Sequence, residues 1–213
     1  MKKIAIIGPP GAGKTTLARD LGPLLNMKVF HLDRLFWEPG WKGKSREERL
    51  QILDHLVQEK QWIIEGTYLD SSEPRLNAAD AIILLDISLL LCLWRIIRRH
   101  RQYRGHSRRD IPQGCTDRLT PFRILKVVIF RFRGRRKLEE KLREFPRGKV
   151  IRLRSPKQVK YYLAQLELHT KEKQQSSPFL KLTVKPSKSG ENVGTLENND
   201  KQYEVAGMAS QGH

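Results

Sequence analysis

Residues 8–15, GPPGAGKT, interrupt a short apolar run at residues 4–7 and lead at once into a stretch with helical character. A glycine turn caught between a strand and a helix in this way has few uses. This one matches G-x-x-x-x-G-K-[ST], a loop whose backbone N–H groups converge on phosphate. Gly8, Gly11 and Gly13 let the chain curl inward through conformations that side chains oppose. The available donors are the amides of Gly11, Ala12, Gly13, Lys14, Thr15 and Thr16, because Pro9 and Pro10 have no N–H and only shape the entry. The helix beginning near Gly13 adds its positive end. Lys14 brings a full charge to the outer phosphates, and the Thr15 hydroxyl is a ligand for Mg²⁺. ATP with Mg²⁺ is the expected occupant.

The rest of the chain alternates between two periods. Short β-branched runs predict strands at residues 3–7, 28–32, 62–65, 81–86 and 150–153. Helical spacing predicts helices at 14–25, 46–59, 89–103, about 122–145 and 157–168; in the second, Leu50, Leu53, Leu56 and Val57 share a face. Such alternation implies an α/β fold in three layers, a parallel sheet covered on both faces. Residues 105–120 lack periodicity and carry Gly, Pro, Ser and Asp, which predicts a mobile loop. After residue 170 the composition turns to Lys, Gln, Ser, Asn, Gly and Glu, which predicts a disordered tail over 170–213 behind a folded domain at 1–169.

Charge narrows the partners. Of the 41 Lys and Arg, 23 lie at 95–160 against 5 Asp and Glu, so this segment carries the entire formal excess of +18. Its counterpart should be an anion: a polyphosphate, a nucleic acid bound weakly and without sequence preference, or both. Two cysteines, Cys92 and Cys115, form no CxxC, which argues against a zinc site or disulfide framework and fits a reducing compartment. The longest apolar run, residues 81–94, contains Asp86 and falls short of the roughly 20 residues a bilayer needs. A cytoplasmic protein without membrane contact is the expectation.

Beyond the phosphate loop, HLDRLFWEPGW (31–41), WIIEGTY (62–68), ADAIILLD (79–86), CLWRIIRRHRQYRG (92–105) and DIPQGC (110–115) follow in order. Together they resemble the bacterial DNA topology modulation proteins, P-loop proteins with an adenylate-kinase-like fold. The resemblance runs from about residue 2 to 166. It implies a five-stranded parallel sheet in the nucleoside-kinase order 2-3-1-4-5, with an arginine-rich helical lid at about 95–120. It names no substrate.

Asp33 follows the second predicted strand at its carboxyl end, where ligands sit in open α/β sheets. In similar small-molecule kinases this position meets the acceptor hydroxyl as a base or hydrogen-bond acceptor. His31 lies two residues earlier, as a neighbour on that side or a structural histidine. Glu65 stands where adenylate kinases carry an aspartate, and the resemblance makes it a second Mg²⁺ residue beside Thr15 or an orienter of the acceptor. The FPR continuation of adenylate kinases is replaced here by TYLD. Arg95 and Arg99, four apart, share a helical face and correspond to lid arginines that neutralise transition-state charge. Trp37, Trp41 and Tyr68 either wall an aromatic acceptor or pack the core. The turn into the last helix, near Pro156, resembles the segment that passes the adenine ring in such folds. The favoured function is an ATP-dependent phosphotransferase acting on a small hydroxyl or phosphate acceptor. The alternative is an ATP-binding protein associated with nucleic acid.

Overall fold

Five of the short β-branched runs become one parallel sheet. A computed structural model describes residues 1–102 and 121–175. Its strands are β1 (Lys3–Ile7), β2 (Val29–His31), β3 (Trp62–Glu65), β4 (Ala81–Leu85) and β5 (Val150–Leu153), side by side in the order β2-β3-β1-β4-β5. This is the 2-3-1-4-5 order expected. Register follows the apolar runs: Ile6 lies opposite Glu65, Ile7 opposite Leu84, and His31 opposite Glu65.

Alternation across the pleat builds the two outer layers. Ile4 and Ile6 enter a cluster with Leu17 and Leu21 of helix α1 (Lys14–Leu25), whereas Ala5 and Ile7 enter one with Phe36, Leu53 and Leu76. Both faces of β1 are therefore dry, as a parallel sheet between helical layers requires. Phe36 belongs to α2 (Leu32–Phe36), Leu53 to α3 (Arg46–Val57) and Leu76 to α4 (Glu73–Ala78). Helix α3 starts on a capping box: the Ser45 hydroxyl accepts from the Glu48 amide (3.1 Å) and the Glu48 carboxylate from the Ser45 amide (2.6 Å).

The remaining helices are α5 (Leu89–Gln102), α6 (Pro121–Ile129), α7 (Arg135–Leu142) and α8 (Pro156–Gln175). The single helix expected at 122–145 is interrupted by a π-helical turn, Phe130–Gly134. The physical reason is a change of side. Val127 of α6 packs in one layer, Leu138 and Leu142 of α7 in the other, and an over-wide turn rotates the apolar face between them. Helix α8 runs to Gln175, past the expected end at 168. The loop at 105–120 and the chain from 176 onward lie outside the described residues.

Ion pairs join α7 to the sheet ends. Arg135 makes a two-pronged contact with Asp86 (3.1 and 2.9 Å), and Arg152 of β5 grips the Glu139 carboxylate, one oxygen at 2.6 Å. The Arg152 hydrogen bond holds the Glu139 carboxyl below its ordinary range. A depressed folded-state value means that this stabilisation is complete above the unfolded value, about 4.3, and fades as pH falls through the lower folded one. Glu139→Gln should therefore melt below the parent protein at pH 7, with the gap closing as pH drops below about 4. Thermal melts at several pH values check this; a gap independent of pH would remove the ion pair as its cause.

Candidate active site

The phosphate loop leaves β1 at Gly8 and enters α1 at Lys14. Gly8, Gly11 and Gly13 have φ of 147°, 82° and 99°, all in the region that side chains avoid. Space is as restrictive as angle: a Cβ at Gly8 would lie 2.5 Å from the Leu85 carbonyl oxygen, and one at Gly11 2.5 Å from that of Cys92. Gly13 is the N-cap of α1 and offers no side-chain cap, so the first-turn amides of Lys14, Thr15 and Thr16 face outward as an anion cradle. The Ala12 amide, expected among the phosphate donors, instead closes a turn onto the Pro9 carbonyl at 3.2 Å. Lys14 Nζ reaches back to the carbonyls of Gly8 (3.0 Å) and Pro9 (3.1 Å), lying across the mouth of its own loop.

Thr15 and Glu65 are brought together. Glu65 ends β3 almost wholly buried, and its Oε1 accepts the Thr15 hydroxyl at 3.1 Å and lies 2.9 Å from His31 Nδ1. A hydroxyl and a carboxylate side by side beneath a phosphate cradle suit Mg²⁺, which takes few protein oxygens and leaves the rest of its shell to phosphate and water. His31 faces Glu65 across the β2–β3 pair and makes its contact there, not with Asp33.

Asp33, in the first turn of α2, stands exposed on the same edge of the sheet. Its Oδ1 accepts the Tyr68 hydroxyl at 2.6 Å, and the Tyr68 oxygen in turn accepts the Trp37 indole N–H at 2.7 Å. Tyr68 meets Phe36 edge-on, with centroids 4.8 Å apart. Trp37 and Trp41 meet edge-on at 5.7 Å, held by a two-residue antiparallel ladder of Trp37–Glu38 with Lys42–Gly43. The aromatic trio thus forms a wall beside Asp33.

Arg95 and Arg99 lie half-buried on the inner face of α5, while Arg98 turns out and stacks over Trp94. Arg95 Nη1 donates to the Ala12 carbonyl at 2.8 Å, placing its charge on the phosphate loop. Arg99 sits one turn farther along. Helix α5 also leans Cys92 on the loop; burial pushes its thiol pKa up, against the pull of the Lys14 and Arg95 charges.

Two parts of the site carry no signal that the sequence reading used. Thr67 both accepts from the Gly8 amide (3.2 Å) and donates to the Gly8 carbonyl, tying the phosphate loop to the turn after β3. Arg75, fully buried, donates to the carbonyls of Gly66 (2.9 Å) and Thr67 (2.6 Å) and fixes that turn from behind. Burial pulls its pKa down to about 10, against the acids Asp70 and Glu65. A sequence signal was available in the long excursion between Glu65 and Ala81, where an arginine among small residues needed a reason to be there.

No family model matches the chain. A Pyrococcus furiosus protein with a provisional adenylate kinase assignment is 30% identical over 128 residues, which span 59% of this chain and 68% of that protein. The chain belongs to the adenylate-kinase-like P-loop kinases. Such a P-loop kinase is an ATP-dependent phosphotransferase with a small-molecule acceptor. A shikimate kinase of Baumannia cicadellinicola is 35% identical over 106 residues, covering 41% of this kinase and 60% of that enzyme. The structure of a shikimate kinase from Acinetobacter baumannii in complex with shikimate superposes with a TM-score of 0.51 at 19% identity, over 81% of this kinase and 95% of that chain; it shows the shared fold. These matches carry the kinase part of the resemblance drawn from the motifs. None of the three bears the topology modulation name.

Proposed function

We propose that this kinase transfers the terminal phosphoryl group of ATP to a hydroxyl or phosphate oxygen of a small nucleoside- or nucleotide-like acceptor, as a member of the DNA topology modulation proteins. The observation that carries it is the pairing of Thr15 with Glu65 under the phosphate cradle, on the edge of the sheet that also presents Asp33. Thr15 and Glu65 would hold Mg²⁺, which when bound would neutralise charge on the phosphate oxygens. Lys14 swings from its loop carbonyls to the β- and γ-phosphates, and the amides of Gly13 to Thr16 hold them in place. Asp33 accepts the hydrogen bond of the acceptor hydroxyl and orients it in line. The acceptor oxygen forms the new bond to phosphorus, the bond to the β-phosphate oxygen breaks, and the acceptor proton passes to Asp33 or solvent. Arg95 and Arg99 act as lid arginines.

The test is a metabolite screen with ATP, Mg²⁺ and the purified protein, read by mass spectrometry. A new phosphorylated product absent with Lys14→Ala supports the reading; turnover identical in the two proteins removes it.

Nucleic-acid association rests on the basic excess at 95–160. Three of those arginines are engaged inside the fold: Arg95 on Ala12, Arg135 on Asp86 and Arg152 on Glu139. DNA binding should accordingly be weak and fall steeply with salt, with a log–log slope near −0.9 per phosphate contacted. Titration at two salt concentrations decides it; tight binding that survives physiological salt would favour the nucleic-acid function. Among the described residues, no helix is long and apolar enough to cross a membrane.

A further inference from the structure

We propose that Tyr68 is the positioning residue for Asp33: its hydroxyl holds one carboxylate oxygen in place so that the other is presented to the acceptor. This rests on the phosphotransferase reading of Asp33. Hydrogen-bond inventory fixes the direction of the relay. An indole N–H can only donate, so the Tyr68 oxygen accepts from Trp37 and its own proton is left for Asp33 Oδ1. The phenol stays protonated, because burial and then the Asp33 charge push its pKa well above the usual range.

The backbone indicates that this arrangement is selected against local preference. Tyr68 has φ 21° and ψ 69°, and Trp41, beside Trp37, has φ 63°. Bulky residues leave such conformations unless their surroundings over-determine them, and strain of this kind gathers where a side chain must point one way. Tyr68 is over-determined by its two hydrogen bonds, by Phe36 edge-on, and by the Arg49 guanidinium 6.0 Å from its ring centroid. Arg49 is itself anchored to Asp70 at 2.8 Å. Phosphoryl transfer depends on positioning more than on covalent chemistry, and a carboxylate fixed at one oxygen loses its rotational freedom beforehand.

The experiment is a double-mutant cycle on turnover of ATP·Mg²⁺ with water as the acceptor, paired with the NMR resonance of the Trp37 indole N–H. Tyr68→Phe keeps the ring and its packing. We expect kcat to fall about tenfold with KM for ATP unchanged and the melting temperature modestly lowered by the two lost hydrogen bonds, and no further loss in kcat when Tyr68→Phe is added to Asp33→Asn. The indole resonance should move on Asp33→Asn when Tyr68 is present and stay put when it is Phe. Equal losses from Tyr68→Phe with and without Asp33, or an indole resonance indifferent to Asp33→Asn, would overturn the proposal even if turnover were too slow to follow. Asp33→Asn with full turnover would instead strike the Asp33 reading itself, and this inference with it.

Discussion

Lys14→Ala is expected to lose roughly a hundredfold in ATP·Mg²⁺ affinity, the factor that follows from removing charge-assisted bonds of about 3 kcal/mol. The fold should not notice. Among the described residues Lys14 Nζ bonds to the carbonyls of Gly8 and Pro9, both within its own loop. The glycines and the amides at the start of α1 remain, so weak phosphate binding should persist. Calorimetric titration beside a thermal melt checks both halves. Unchanged affinity would mean that the triphosphate does not reach this loop.

The second large effect belongs to Asp33. Asp33→Asn preserves shape and removes the charge that accepts the acceptor's proton or hydrogen bond, and the expected loss in phosphoryl transfer is about 10²-fold or more. ATP affinity should hold, because Asp33 lies on α2 beyond the end of β2 while the phosphate cradle lies between β1 and α1. The amide can also donate to the Tyr68 oxygen, so the aromatic wall should keep its packing. Single-turnover measurements with the acceptor returned by the metabolite screen, beside ATP titrations, separate the two effects. Full turnover would make Asp33 structural and move the search to Glu65.

The layout of strands was legible because parallel strands buried on both faces are written as unbroken apolar runs. IAII and AIILL announce themselves, and the glycine loop states where the first strand must end. Helices α2 and α4 were not legible: five and six residues are too few for a helical period to show. The π-helical turn was hidden for the opposite reason. Residues 122–145 keep one continuous helical pattern in sequence, and only the tertiary need to pack Val127 and Leu138 on opposite sides of the sheet splits it. At the site, motif positions spoke for themselves, and the family resemblance had already named Glu65 as a companion of Thr15. The Trp37–Tyr68–Asp33 relay joins residues 31 and 35 positions apart, and no local spacing encodes such a meeting.

The phosphate loop's tight approaches to its neighbours carry a genetic consequence. At Gly8 and Gly11 the obstructing atoms are the main-chain carbonyl oxygens of Leu85 and Cys92. Every amino acid brings that same oxygen, so no replacement at 85 or 92 makes room for an added methyl group. A selection for revertants of Gly8→Ala or Gly11→Ala should recover the original glycine, or mutations that shift β4 or α5 as a whole, and never a trimmed side chain at either neighbour. The loop depends on where the backbone of 85 and 92 runs and not on what it carries, so exchange of these two buried side chains is limited by the packing of the core around them.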